Sequence, residues 1–244
     1  MLSKKQIKFI VNLSQKKHRD LSGYFVVEGL KSILDLVSSG LELEGCYSIS
    51  KLDLLPEEVQ TVISERELRA ISNLTTPHHA LGVFKMPLPK DIPSNGMFLA
   101  LDGVRDPGNF GTIMRLCDWF GVKHLICSID SVDCFNPKVV QATMGSIGRV
   151  CVHYVNLSEW LSKSILPKIG TFVEASSVYD FDWPTDAILV MGNEGQGISD
   201  EVRKQLTAEL SIPKFNNQLT AESLNVATAT SIILNEYFRP TIEK

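Results

Sequence analysis

Cysteine is scarce in this chain, and the few that occur lack the spacing of a disulfide framework or a metal site. Five cysteines are spread over 244 residues without a C-x-x-C pair, and the five histidines are not at metal-ligand spacing either. A disulfide-stapled fold and a zinc site are therefore not expected. We interpret the cysteines as reduced, mostly buried residues, and we expect no metal.

Long hydrophobic runs are also missing. No stretch approaches the roughly 18 uninterrupted apolar residues of a membrane-spanning helix. Lys4, Lys5 and Lys8 stand where a signal peptide would need its apolar segment. We therefore expect a soluble, cytoplasmic protein with no membrane partner. The 44% hydrophobic content is enough for a core, and 244 residues suit two domains or one large α/β domain with an extension.

An overall positive charge, the usual mark of a nucleic-acid-binding domain, is absent, because the formal net charge is −4. The distribution is uneven, however. Residues 1–20 carry a formal charge of +5, which leaves −9 for the remainder. Such a basic arm can contact phosphates, and a solvated helix face is the alternative. The candidate RNA-contacting residues are Lys4, Lys5, Lys16, Lys17 and Arg19.

Proline is concentrated at one point of the chain. Residues 86–96 contain three prolines and a glycine, so they cannot continue a helix or a central strand. We place the domain boundary there, with a first domain at residues 1–90, a linker at 91–96 and a second domain at 97–244. The first domain is predicted to be a small mixed α/β domain, with helices at about 3–17 and 30–38 and a strand at 24–27.

The second domain alternates between apolar strand patterns and helical patterns. Strands are predicted at residues 97–102, 123–128, 149–155, 170–175 and 187–191, and helices at 109–120, 135–147, 157–166 and 199–206. Strands separated by helices predict an α/β fold, with a mostly parallel sheet covered by helices on both faces. Ligands of such sheets bind at the carboxyl ends of the strands.

The first informative motif runs from a strand into a helix and reads Leu-Asp-Gly-Val-Arg-Asp-Pro-Gly-Asn-Phe-Gly-Thr-Ile-Met-Arg over residues 101–115. The helix has a predicted buried stripe at Ile113, Leu116, Cys117 and Phe120. Arg115 lies on the opposite side and therefore faces solvent, a cleft or a partner subunit. Asn109 opens the helix, where it suits an N-cap, a site residue or both.

The second motif, Met-Gly-Asn-Glu-Gly-Gln-Gly at residues 191–197, follows a continuous apolar run typical of a strand buried on both faces. Its glycines permit positive φ and close backbone approach. The motif is neither a Walker A sequence nor G-x-G-x-x-G. Asp200 and Glu201 then begin a helix, where their charge disfavours a bound phosphate. A neutral or cationic ligand suits this loop better.

The third motif, Ser-Leu-Asn-Val-Ala at residues 223–227, opens a predicted terminal helix that reaches about residue 238. Small residues at 227–231 make one flank of this helix slim, which permits close packing. A well-packed terminal helix without a ligand is the alternative interpretation of this motif.

In this order, the three motifs resemble those of the SpoU (TrmH-type) RNA 2'-O-ribose methyltransferases of the SPOUT superfamily. The resemblance covers most of residues 97–239. It implies a deep trefoil knot, a homodimer and S-adenosylmethionine as the cofactor. It also implies a reaction centre at Asn109, Arg115, Glu194, Ser223 and Asn225, and cofactor binding by Gly192, Ile212 and Leu224. Many relatives follow the Ile-Pro pair with Met and a shorter loop than the one at residues 214–222 of this chain.

The first domain resembles, through Phe-Val-Val-Glu-Gly-Leu at residues 25–30, the ribosomal-protein-L30e-like substrate-binding domain of many family members. This favours a structured RNA, ribosomal rather than transfer RNA, and DNA is not expected because it lacks the 2'-hydroxyl. The alternatives are a tRNA 2'-O-methyltransferase, a catalytically silent RNA-binding protein on the same scaffold, and an unrelated nucleotide-dependent α/β enzyme.

The resemblance gives Arg115 a part in activating the 2'-hydroxyl. A guanidinium stays protonated at neutral pH, so it is a poor general base. We therefore expect Arg115 to bind the adjacent phosphate and polarise the hydroxyl, and Glu194 to orient that hydroxyl or to interact with the sulfonium.

Overall fold

A computed structural model describes residues 1–216 and 221–242. The chain forms two compact units. The first consists of Met1–Pro89 together with Asp133–Arg149, and the second of Lys90–Val132 together with the residues from Val150 onward. The single linear boundary predicted at 91–96 does not account for residues 133–149, which return to the first unit.

In the first unit, helices surround a four-stranded sheet of order β1-β4-β2-β3. Strand β4 is antiparallel to both β1 and β2, and β3 is parallel to β2. The strands are β1 Tyr24–Glu28, β2 Leu43–Ser48, β3 Gln60–Val62 and β4 Ala80–Lys85. The helices are α1 Lys4–Asn12, α2 Lys16–Ser22, α3 Leu30–Ser38, α4 Glu65–Ile71 and α6 Pro137–Thr143.

The predicted helix over residues 3–17 is divided in two by a turn at residues 13–15, and Arg19 stabilises this turn. The Arg19 Nη1 atom donates hydrogen bonds of 2.9 Å to the carbonyl oxygens of Leu13 and Ser14, at the turn between α1 and α2. The guanidinium also pairs with Asp133. A long-range contact therefore stabilises a turn that the local pattern did not indicate.

The segment 133–149 packs within the first unit. The Phe135 ring lies 4.8 Å from that of Phe25, centroid to centroid. Helix α6 contacts β1 and ends at Thr143, because Met144 adopts a left-handed conformation with φ of 51°. This ends the predicted helix of residues 135–147 four residues early.

The second unit confirms the predicted fold class. It contains a six-stranded sheet of order β10-β8-β9-β5-β6-β7, in which every neighbouring pair is parallel. The strands are β5 Met97–Leu101, β6 His124–Ser128, β7 Cys151–Val155, β8 Lys168–Ser177, β9 Ala187–Met191 and β10 Ala208–Ser211. The helices are α5 Pro107–Phe120, α7 Leu157–Lys163, α8 Asp200–Arg203 and α9 Val226–Ile242.

Both faces of this sheet are buried. Phe98 and Ala100 pack against Leu157 and Leu161 of α7, in a core that also contains Val202 of α8. The alternate residues of β5 point to the other face and are buried as well. Helices α5 and α9 pack on each other, with the Phe120 and Phe238 rings stacked at 5.6 Å.

Residues 217–220 lie outside the described residues, and the trefoil knot stays a prediction. None of the helices in the described ranges is long and apolar enough to cross a membrane.

Candidate active site

The carboxyl ends of β5 and β9 are joined through Asp102. Its backbone N–H donates to the Met191 carbonyl at 2.9 Å, and its carboxylate accepts a hydrogen bond of 2.7 Å from the Ser199 N–H. Asp102 is buried, so this charge-assisted contact is shielded from water. The first motif therefore holds both ends of the loop that forms the second motif.

Asn193 links the second motif to the first and also closes the turn of the second motif. Its side-chain amide donates to the Gly103 carbonyl at 2.6 Å, and its side-chain oxygen accepts from the N–H groups of Gly195 and Gln196 at 2.9 and 3.1 Å. Its backbone exchanges two 2.9 Å hydrogen bonds with Gly197. This closes a tight turn that carries Glu194 at its tip.

Position 192 must be a glycine, because the backbone of Gly197 and Ile198 passes too close to leave room for a Cβ atom. A Cβ atom there would lie 2.3 Å from the carbonyl carbon of Gly197 and 2.4 Å from the nitrogen of Ile198. Gly197 has a φ of +71°, a conformation that favours glycine for a different reason. The second motif is thus a closed backbone turn, as its glycines suggested.

Asn109 does not cap α5, because Asp106 does. The Asp106 carboxylate accepts a hydrogen bond of 2.7 Å from the Asn109 N–H, and Pro107 occupies the first helical position. The N-cap interpretation of Asn109 is therefore wrong, and its side chain is available for other contacts.

The Asn109 side chain connects the second and third motifs. Its amide nitrogen donates to Glu194 Oε1 at 2.8 Å, and its oxygen accepts from the amide nitrogen of Asn225, also at 2.8 Å. The Asn225 oxygen accepts from the N–H groups of Ala227 and Thr228 at 3.0 and 3.2 Å, which caps α9. Helix α9 therefore begins after Asn225 and not at Ser223. We call Asn109, Glu194 and Asn225 the polar network.

The structure does not bring Arg115 or Ser223 into the polar network. Arg115 is exposed on α5, six residues after Asn109, so the two side chains leave the helix about 120° apart. Ser223 is exposed in the segment before α9. The catalytic roles of all five residues stay predictions.

A cavity of about 370 Å³ opens where β8 and β10 end. It forms because the two strands lose register: Glu209 pairs with Gly170, but the next residue, Leu210, pairs with Ser176. Val173, Glu174 and Ala175 lie in the part of β8 that this shift leaves unpaired with β10, and they line the opening. The complete lining is Val173, Glu174, Ala175, Ser177, Ser211, Pro213 and Lys214.

Two of the three candidate cofactor residues directly follow strands, and the third lies just before α9. Gly192 follows β9, and Ile212 follows β10 between two residues that line this cavity. Leu224 precedes Asn225 and is 49% exposed. None of the three is among the lining residues, so the convergence of Gly192, Ile212 and Leu224 on one ligand stays a prediction.

The basic arm is exposed except for Arg19. Lys4, Lys5, Lys16 and Lys17 are at the surface, and Lys16 forms a 3.2 Å ion pair with Asp20. Arg19 is only 2% exposed and is paired with Asp133, which argues against its predicted contact with RNA. Its position in a lysine-rich segment gave no sign of burial.

Asp102, Asp106 and Asn193 are the residues that sequence reasoning did not select. Asp106 was detectable, since an acidic residue directly before proline is a typical helix start. The contacts of Asp102 and Asn193 join residues that are far apart in the chain, so no local pattern indicates them. Among the described residues, no cluster of histidine, cysteine, aspartate or glutamate could hold a metal ion.

The fold and the site define a class of protein: a parallel-sheet α/β protein with a polar site at the carboxyl ends of its central strands, where such folds bind small molecules. Residues 96–235, more than half of the chain, match the SpoU rRNA Methylase family, and residues 4–82 match the MRM3-like substrate binding domain. The chain belongs to the SpoU rRNA methylase family. Both predicted resemblances are confirmed.

Similar proteins extend over almost the whole chain. A structure described as an RNA methyltransferase of the TrmH family from Porphyromonas gingivalis is 37% identical, with a TM-score of 0.88, and the match covers 98% of this chain and 99% of that one. The AdoMet-bound rRNA methyltransferase from Sinorhizobium meliloti is 28% identical, with a TM-score of 0.85 and coverage of 98% and 97%. The 23S rRNA (guanosine(2553)-2'-O)-methyltransferase RlmP of Bacillus subtilis is 27% identical, over 91% of each chain.

Proposed function

We propose that this protein transfers a methyl group from S-adenosylmethionine to a ribose 2'-hydroxyl of a structured RNA, and that the RNA is ribosomal. The main support for the proposal is the polar network, which joins all three motifs near the carboxyl ends of the central strands. A silent RNA-binding scaffold has no need of this network. The names of the similar proteins favour rRNA over tRNA as the substrate.

The residues present fit the proposed cofactor. The turn at Gly192 approaches its own backbone so closely that only a glycine fits, and it presents main-chain groups and no side chain at the end of β9. Gly192, Ile212 and Leu224 would hold the cofactor mainly through backbone groups. When bound, S-adenosylmethionine supplies a methyl group on a sulfonium that is its own leaving group, so the transfer does not require a metal.

Within the polar network, Asn109 is held between an acceptor and a donor. Because Asn225 donates to its oxygen, the nitrogen of Asn109 faces Glu194 and fixes the orientation of that carboxylate. Oε2 of Glu194 retains free lone pairs, which can accept a hydrogen bond from the ribose hydroxyl. Arg115 binds the neighbouring phosphate in a bidentate manner and polarises the hydroxyl.

The exposed face of α5 supports a homodimer. Trp119 is 85% exposed and lies one helical turn after Arg115 on the same face. Exposed tryptophans are uncommon and are enriched at interfaces. A second copy seated on this face would bury Trp119 and place Arg115 at the subunit boundary. The cytoplasmic location stays a prediction.

Cofactor binding and RNA methylation test the proposal directly. We expect S-adenosylmethionine to bind the purified protein in calorimetric titration, and we expect 2'-O-methyl mapping to find one rRNA ribose that is unmethylated in cells lacking the protein. Cofactor binding without a missing mark in any RNA would favour the silent scaffold. An Arg115→Ala protein with a normal methylation rate would contradict the role of Arg115.

A further inference from the structure

The first unit contains a cavity of its own, at the motif that resembles a substrate-binding domain. Its volume is about 210 Å³, smaller than the roughly 300–1,000 Å³ of sites for drug-sized ligands and suited to a single planar ring system. Strand β1, the segment after α4 and helix α6 form its walls. The complete lining is Val26, Glu28, Asn73, Leu74, Pro137, Lys138, Val140 and Gln141.

We infer that this cavity binds an unstacked guanine base of the substrate RNA, next to the nucleotide that is methylated or elsewhere in the same RNA. The inference rests on the proposed function only in taking RNA as the substrate. Single-stranded RNA is usually recognised through bases that leave the stack and enter such pockets.

The walls of the cavity suit the two faces of a base. Val26 and Val140 are 3% and 4% exposed, and Pro137 and Leu74 add further apolar surface. A flat ring between aliphatic side chains gains contact area on both sides. Helix α6 supplies one of the walls and belongs to the same unit as β1, so the cavity lies within one compact body.

Glu28 supplies the polar edge that selects guanine. Glu28 is only 7% exposed, and each oxygen of its carboxylate already accepts one hydrogen bond: Oε2 from the Ser72 hydroxyl at 2.5 Å and Oε1 from the Asn73 N–H at 2.7 Å. A carboxylate has about four acceptor sites, two on each oxygen, so each oxygen of Glu28 retains one free acceptor site. Burying a negative charge is costly unless further donors reach it, and a ligand with two adjacent donors would provide them.

Guanine is the RNA base whose Watson–Crick edge carries two adjacent donors. Its N1–H and N2–H groups match the two oxygens of a carboxylate, and the neighbouring O6 is an acceptor. Lys138 and Gln141 line the same cavity and are donors for O6. Adenine and cytosine each place a ring-nitrogen acceptor where guanine has N1–H, and uracil has a single donor between two acceptors.

The test is methyl-labelled NMR of the full-length protein, titrated with guanosine, adenosine, cytidine and uridine monophosphates and with ribose 5-phosphate. The methyl groups of Val26, Leu74 and Val140 report on the cavity. We expect guanosine monophosphate to shift them with a Kd on the order of 1 mM, as for a small fragment. The other nucleotides should bind about tenfold more weakly, and the sugar phosphate should leave these signals in place.

Two variants separate recognition from folding. Glu28→Gln keeps an oxygen for Ser72 or Asn73 but replaces one acceptor by a donor, so the preference for guanine should disappear. Glu58→Gln, at an exposed position of the same unit, is the matched control and should keep it. If Glu28→Gln unfolds the protein, Gln141→Phe serves instead, because it fills the cavity while Glu28 itself is unchanged, and it should abolish binding of every nucleotide.

Three results would overturn the inference: no shift of the cavity methyl groups with any nucleotide, equal shifts with all four, or shifts reproduced by ribose 5-phosphate. The Ile212 methyl group, in the second unit, provides a separate readout in the same spectra, since S-adenosylmethionine should shift it. Loss of the guanine response with a normal Ile212 response would refute this inference alone. If S-adenosylmethionine does not shift the Ile212 methyl signal, that result would count against the proposed function instead.

Discussion

The side-chain amide of Asn109 donates a 2.8 Å hydrogen bond to the carboxylate of Glu194, 85 residues later in the chain. The contact exists because Asp106 caps α5 in place of Asn109, and because Asn193 fixes the turn that carries Glu194. It connects the first turn of α5, the helix that follows β5, with the loop that follows β9, and these two strands are adjacent and parallel. This relationship leads to the most direct functional prediction.

Asn109→Asp should lower the methylation rate by about 100-fold, a magnitude typical of losing one oriented polar group in an active site. The substitution keeps the size of the side chain but places a second carboxylate against Glu194, which removes the donor and adds repulsion. Single-turnover assays with labelled S-adenosylmethionine would measure the rate. Asn156→Asp is the matched control, because Asn156 caps α7 and aspartate caps equally well.

Gly192→Ala should destabilise the protein by about 1–3 kcal/mol, the usual cost of forcing a methyl group into filled space. Its Cβ would lie 2.3 Å from backbone atoms of Gly197, which cannot move aside as a side chain can. Thermal unfolding and calorimetric titration with S-adenosylmethionine would show both lower stability and weaker binding. Gly195→Ala is the control, since its Cβ would meet only Asn193 Oδ1 at 3.6 Å. Equal behaviour of the two variants would contradict the role of Gly192.

Trp119→Arg should dissociate the proposed homodimer. Removing a central aromatic anchor typically weakens an interface by 2 kcal/mol or more, which is about 30-fold in the dissociation constant. Sedimentation velocity over a concentration series would measure the change. Ile165→Arg is the matched control, because Ile165 is 95% exposed in the same unit. An unchanged sedimentation profile of Trp119→Arg would exclude this face of α5 as the interface.

Replacing Lys4, Lys5, Lys16 and Lys17 by glutamine should weaken RNA binding and flatten its salt dependence. Each phosphate contact contributes about 0.7–0.9 to the slope of log K against log salt, so four contacts would change the slope by about 3. Filter binding to rRNA fragments at several salt concentrations would measure it. Lys51→Gln with Lys85→Gln is the control, since these lysines of the same unit are paired with Glu57 and Glu42. An unchanged slope would refute the involvement of the arm.

The stability of the protein should fall as the pH is lowered from 7 to 5, in part through His124 and His153. Their rings are stacked, with Nδ1 of His124 3.0 Å from Nε2 of His153. Burial lowers the pKa of both, with nearby lysines adding to the effect at His124 and His124 itself adding to it at His153. Between pH 7 and pH 5 the unfolded state therefore binds more protons than the folded state. The stabilisation from the neutral histidine pair is complete above the ordinary histidine pKa of about 6.5 and is lost as the pH falls below it.

Urea unfolding at pH 7 and pH 5 would measure this effect. His153→Gln should reduce the difference in unfolding free energy between the two pH values. His79→Gln, at an exposed loop histidine, should leave the difference unchanged. A difference as large in His153→Gln as in the natural protein would exclude the pair as its source.

Much of the second unit was predictable because its signals are local. The apolar run of β9 and the buried stripe of α5 are each contained in a short stretch of chain. The predicted start of α5 at residue 109 was two residues late, because Pro107 occupies the first helical position. The predicted helix over residues 3–17 was wrong near its end, where the chain turns at residues 13–15. The buried Arg19 binds two carbonyl oxygens of this turn and is itself held by the distant Asp133. The assignment of residues 133–149 to the second domain differs from the structure for a similar reason: the packing of Phe135 on Phe25 joins residues that are distant in the chain.

The amino-acid sequence by itself determined the alternation of strands and helices, the positions of the glycine turns and the family resemblance, because periodicity and turn chemistry are encoded over short stretches of chain. Only the tertiary structure decided that Asn109 lies between Glu194 and Asn225, that Arg19 is buried, and that α6 closes a cavity over Glu28. Each of these contacts joins residues that no local pattern links, so it appears only when the chain is packed.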